Sequence, residues 1–108
     1  GYPVELLKEI LREFKRHGKE RGFVPIFVWA PQEDDLVYMK KKGIHYGFFI
    51  QDISKEIETI DLTPYLINLK DVDYFFTEEP ADRGHFSKEG DRFIAEKIYE
   101  ELKHRKII

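Results

Sequence analysis

The chain has 108 residues, 42% of them hydrophobic and 15% aromatic, with 36% Lys, Arg, Asp and Glu and a formal net charge of −3. That length allows at most one domain, the apolar content supports a packed core, and an acidic balance of interleaved charges offers no basic patch for nucleic acid. The absence of cysteine excludes disulfides, thiolate metal sites and a cysteine nucleophile, and no apolar run reaches the roughly 18 residues of a membrane span.

Pro3 suits a helix first turn, and Val4, Leu7, Leu11 and Phe14 follow at helical spacing. This helix is expected to run to about His17 and stop at Gly18. The continuous apolar run FVPIFVWAP (23–31) predicts a buried strand of a parallel sheet, with Pro25 tolerated only near its start. PQEDDLVYMKKKG (31–43) places acids early and lysines late, matching a helix dipole, and Gly43 closes it. Tyr46, Phe49, Ile50, Ile53 and Ile57 predict a further helix over 45–56. ETIDLTPYL (58–66) reads as a short strand limited by Pro64, and VDYFF (72–76) as another extended piece. Ser87 is a good N-cap for the last helix. Its expected buried stripe is Ile94, Ile98 and Leu102, extended by Phe93, Ala95 and Tyr99, and basic residues from Lys103 to Lys106 complement its C-terminal end.

This alternation predicts α/β with a parallel sheet. Two strands cannot by themselves make such a sheet with both faces covered, so upstream sequence or a second copy of the chain is expected to complete it. The chain begins at Gly1 and runs straight into helical sequence, which leads to the expectation of a piece of a longer protein; its compartment is left unassigned. High Lys and Glu beside one Asn, two Gln and no Cys leans towards a thermophilic source.

The chemistry-bearing stretch is DRGHFSKEGDRFIAEKIYEEL (82–102), where Asp82 stands three residues before His85 immediately ahead of a helix. An activated serine needs a base within hydrogen-bond reach and a carboxylate that holds the imidazole in its useful tautomer. His85 and Asp82 can fill those roles, with Gly84 letting the backbone turn tightly beside the histidine. The bland reading is a surface turn that Asp82 starts and His85 merely occupies, because this spacing alone often arises by chance.

That segment, preceded by IETIDLTPYL, resembles the C-terminal block of the SGNH (GDSL-type) hydrolase family, with Asp82, His85, Ser87, Gly90, Ala95 and Glu96 at the matching positions. The upstream run LKEILREFKRHGKERGFVPIFVWAPQ looks like that family's helix and strand ahead of the block. The resemblance implies the C-terminal half of a three-layer, flavodoxin-like fold with short parallel strands and flanking helices. It implies ester hydrolysis or acyl transfer on a small-molecule or carbohydrate ester, with no cofactor or metal. His85 would be the general base and Asp82 would orient it. The chain departs from the family in lacking the Gly-Asp-Ser block and the glycine and asparagine blocks of the oxyanion hole. Its only serines are Ser54 and Ser87, and its only asparagine is Asn68. The nucleophile is therefore expected upstream of this chain, which alone should be inactive and should associate with a missing N-terminal part or form a homodimer.

Glu78, Glu79 and Asp91 compete with Asp82 as partner to His85. The same acids with His85 form a weaker metal candidate, since no second histidine stands at ligand spacing. Asp34 and Asp35 read as first-turn dipole partners, His17 and His104 as solvated groups near helix ends, and His45 as a residue at a helix start. Trp29 ends the first strand, where a side chain is usually core but can face a ligand crevice. The alternative from another class is a non-catalytic α/β binding or assembly module in which the Asp82–His85 pair is only a turn.

Overall fold

The computed structural model describes residues 2–44, 47–77 and 85–108. In chain order these form α1 (Tyr2–Arg21), β1 (Ile26–Trp29), α2 (Glu33–Lys42), α3 (Gly47–Ser54), β2 (Glu58–Asp61), α4 (Thr63–Ile67), a 3-10 turn (Val72–Phe75) and α5 (Lys88–His104). The architecture is mixed α/β, mostly helical, with β1 and β2 paired in a two-stranded parallel sheet. Among the described residues no helix is long and apolar enough to cross a membrane. The described chain divides into two compact units, one from residues 2–28 and 47–60, the other from 29–44, 61–77 and 85–108.

In the first unit, α1 presents Leu11 to Ile53 of α3 and to Ile57, all three buried, with Leu7, Phe27 and Phe49 packed against them. Two ion pairs lie beside this core: Lys8 Nζ with Asp52 Oδ2 at 2.5 Å, and Arg12, which donates to both Glu56 carboxylate oxygens at 2.9 and 2.8 Å. The expected stop at Gly18 is wrong: the helix continues to Arg21. Gly18 is buried where a Cβ would come within 2.7 Å of both Phe23 O and Pro25 Cδ, so its small size serves close approach. The terminating glycine is Gly22, at φ 77°, and the Gly18 carbonyl accepts from the N–H groups of Gly22 and Phe23. β1 is shorter than the apolar run, four residues beginning after Pro25, as expected for a residue that cannot donate to a ladder.

In the second unit, α2 starts where the Gln32 N–H donates to Asp35 Oδ2 at 3.3 Å, buries Leu36 and Met39, and ends at Gly43 with φ 90°. The strand expected over 58–66 stops at Asp61. Asp61 Oδ1 accepts from the Thr63 N–H at 3.0 Å, and Pro64 sits in the first turn of α4, where its missing N–H is harmless. Leu62, Thr63 and Leu66 are fully buried there. Residues 72–75 wind into a 3-10 turn rather than extending, and only Phe76 pairs as a strand would, in an antiparallel bridge to Phe86.

α5 is joined to α4 by the Tyr65 hydroxyl, which donates to Glu101 Oε1. That bond, and then Arg105, hold the Glu101 carboxyl below its usual range. Phe93, Ile94, Ile98 and Leu102 are half-buried, whereas Ala95 and Tyr99 are exposed. At 100° per residue those two fall beyond the edge of the covered stripe, so the wider stripe is corrected.

Candidate functional site

His85 is placed by the segments on either side of it. The Thr77 N–H donates to His85 O at 3.0 Å, and the Ser87 N–H donates to Phe75 O at 3.0 Å. Between these bonds the rings of Phe76 and Phe86 stack with centroids 4.7 Å apart at 25°. Ser87 then caps α5: its Oγ accepts from the Gly90 N–H at 3.1 Å and donates to Tyr74 O at 2.9 Å. Gly90 is the buried residue of α5's first turn because it rests on Phe75 O, where a Cβ would overlap the carbonyl. His85 is thus backed by a bridge and a capped helix, with its side chain exposed. Among the described residues the imidazole has no hydrogen-bond or ion-pair partner.

Asp82, Glu78, Glu79 and Gly84 lie outside the described residues, as does His45. Asp91, the remaining rival acid, is exposed in the first turn of α5 and forms no ion pair with His85. Among the described residues no group of three or more His, Asp or Glu side chains is placed to hold a metal ion. Trp29 is half-buried, and its carbonyl accepts from the Leu62 N–H at 2.9 Å. His17 and His104 are exposed on α1 and α5.

Both serines are occupied by local structure. Ser54 Oγ donates to Gln51 O at 2.7 Å at the end of α3, and Ser87 is the α5 cap. Neither stands on a strand-to-helix elbow of the kind that presents a nucleophile.

A cleft of about 370 Å³, not anticipated from the sequence, lies between the 3-10 turn and the first turns of α5. It is lined by Tyr74, Phe75, Lys88, Glu89, Arg92, Phe93 and Glu96. The rings of Tyr74 and Phe75 meet edge-on at 5.1 Å and 87°, and those of Phe75 and Phe93 tilt at 5.2 Å and 55°. Residues 88, 92 and 96 form one ridge of the helix, and 89 and 93 the next. The cleft lining joins an aromatic pair, Tyr74 and Phe75, to a helix that starts only at Lys88 and carries Lys88 and Arg92 four apart. Residues 72–76 were expected to be extended and Phe93 to lie in a buried stripe, and neither expectation puts them at a cleft.

No family model, curated protein or solved structure matches the chain.

Proposed function

We propose that this chain is the C-terminal portion of an SGNH-like hydrolase domain with a three-layer, flavodoxin-like fold, acting in ester hydrolysis or acyl transfer. A serine supplied by polypeptide outside these 108 residues attacks the ester carbonyl. His85 takes the serine proton and returns it to the leaving alcohol, while Asp82 orients the imidazole and stabilises its charged form. The observation that carries this reading is the setting of His85: an exposed imidazole without a partner among the described residues, on backbone pinned by Thr77 and by the Ser87 cap. The engagement of Ser54 and Ser87 in local bonds supports an external nucleophile.

General-base assistance contributes about 10²–10⁴-fold to such reactions. In the full-length protein, His85→Ala is expected to reduce cleavage of a small aryl ester by at least that range while the circular dichroism spectrum is unchanged. Near-normal activity in the variant removes the assignment. The same exposed His85, without a partner among the described residues, also suits the second reading, a non-catalytic binding or assembly module. That reading predicts no Gly-Asp-Ser segment in the parent reading frame and no aryl-ester cleavage by the parent protein.

A further inference from the structure

We propose that the cleft between the 3-10 turn and α5 binds a neutral saccharide. Its first qualification is an aromatic platform. Tyr74 meets Phe75 edge to face and Phe75 is tilted against Phe93, so the three rings form one contiguous apolar cluster. Tyr74 is 57% exposed, and its hydroxyl has no hydrogen bond among the described residues. A pyranose offers the exposed Tyr74 ring the apolar C–H face of its own ring, leaving its hydroxyl groups to the rim.

The rim is built for those hydroxyls. Lys88 and Arg92 supply donors, Glu89 and Glu96 supply acceptors, and among the described residues none of the four has an ion-pair partner. Two cations and two carboxylates leave no net charge. An anionic ligand would meet Glu89 and Glu96, and a cationic one Lys88 and Arg92. A neutral polyol uses all four without repulsion. The same balance argues against a nucleic-acid strand, whose bases would suit the rings but whose phosphates would face the carboxylates.

The platform is also held in place before any ligand arrives. Phe76 N–H donates to Asp73 O, Ser87 Oγ to Tyr74 O and Ser87 N–H to Phe75 O, while Gly90 abuts Phe75 O. Lys97 Nζ lies 5.3 Å from the Phe93 ring centroid and braces that ring. The rings therefore need little ordering on binding, which leaves that cost to the four rim side chains, and the volume is at the small end of the roughly 300–1,000 Å³ typical of ligand sites. None of the cleft residues is His85 or Asp82, so this inference stands or falls separately from the hydrolase reading.

The test is a ¹⁵N–¹H NMR titration of the 108-residue chain. The probes are methyl glycosides of glucose, galactose, mannose, xylose and N-acetylglucosamine, and β-1,4-linked trisaccharides of glucose, xylose and N-acetylglucosamine. At least one is expected to move the amide resonances of residues 74–76 and 88–96. Tyr74→Ala and, separately, Arg92→Gln should each weaken that binding about tenfold, as loss of a stacking ring or a charged donor does. Arg92 is exposed on the helix surface, so its variant keeps the test valid if Tyr74→Ala perturbs the turn. Three outcomes overturn the proposal: no saccharide moves these resonances, neither variant weakens binding, or benzoate, phenyl phosphate or oligothymidylate binds there more tightly than every sugar.

Discussion

Gly90 shows how a single side chain's absence shapes the site. A Cβ at this position would lie 2.0 Å from Phe75 O, so only glycine lets the turn carrying Tyr74 and Phe75 approach α5 this closely, and Ser87 secures both through bonds to Tyr74 and Gly90. Gly90→Ala would force a methyl group into a backbone carbonyl, and neither helix nor turn can yield by rotating a side chain. We expect a loss of about 1–3 kcal/mol or more, the range for overpacking, measured by urea denaturation. A Gly90→Ala protein as stable as wild type would show that the close approach does not exist. At most other helix positions the same substitution is favourable, because alanine is the better helix former. The sign of the effect is therefore diagnostic.

At the level of elements, α1 and α3 are joined by burial of Leu11 against Ile53 and Ile57 and by two ion pairs. The hydrogen bond from Lys8 draws the Asp52 carboxyl below its ordinary range, and the hydrogen bond from Arg12 does the same for Glu56. A carboxyl depressed in the folded state adds stability above its unfolded pKa of about 4, and that contribution is lost as pH falls through the folded value. Glu56→Gln should accordingly lower the denaturation midpoint slightly at neutral pH, slightly because Arg12 is half exposed. The difference from wild type should narrow as pH falls below about 4 and close as it passes through the depressed folded value of Glu56. A gap that stays constant from neutral to acid pH would assign the effect to packing.

For the whole molecule, the two-stranded sheet is the governing fact. β1 reads IFVW, apolar on both faces, which is the composition of an interior strand of a parallel sheet. Among the described residues it pairs with β2 alone, and Val28 remains 36% exposed. An unpaired strand edge is a template for another chain. We expect sedimentation velocity of the 108-residue chain to show mass rising with concentration. A monomer at every concentration would mean that the edge is protected without a partner.

Periodicity and punctuation alone were enough to place α1, α2, α3 and α5, the apolar strand β1, the stop at Gly43 and the cap at Ser87. Each of these has a cause within a few residues of itself: an apolar face repeating every turn, a hydroxyl within reach of an N–H, or a glycine free to take positive φ. His85 was legible for the same reason, as a titratable residue two positions before a cap. The tertiary structure decided which glycine ends α1, that Pro64 starts a helix instead of closing a strand, which flank of α5 is covered, and that Tyr74, Phe75 and Phe93 share a cleft with Arg92. Those outcomes depend on the carbonyl or ring that a residue meets once the chain has folded back on itself. A glycine that permits a turn and a glycine that permits contact look identical until the contacting atom is in place.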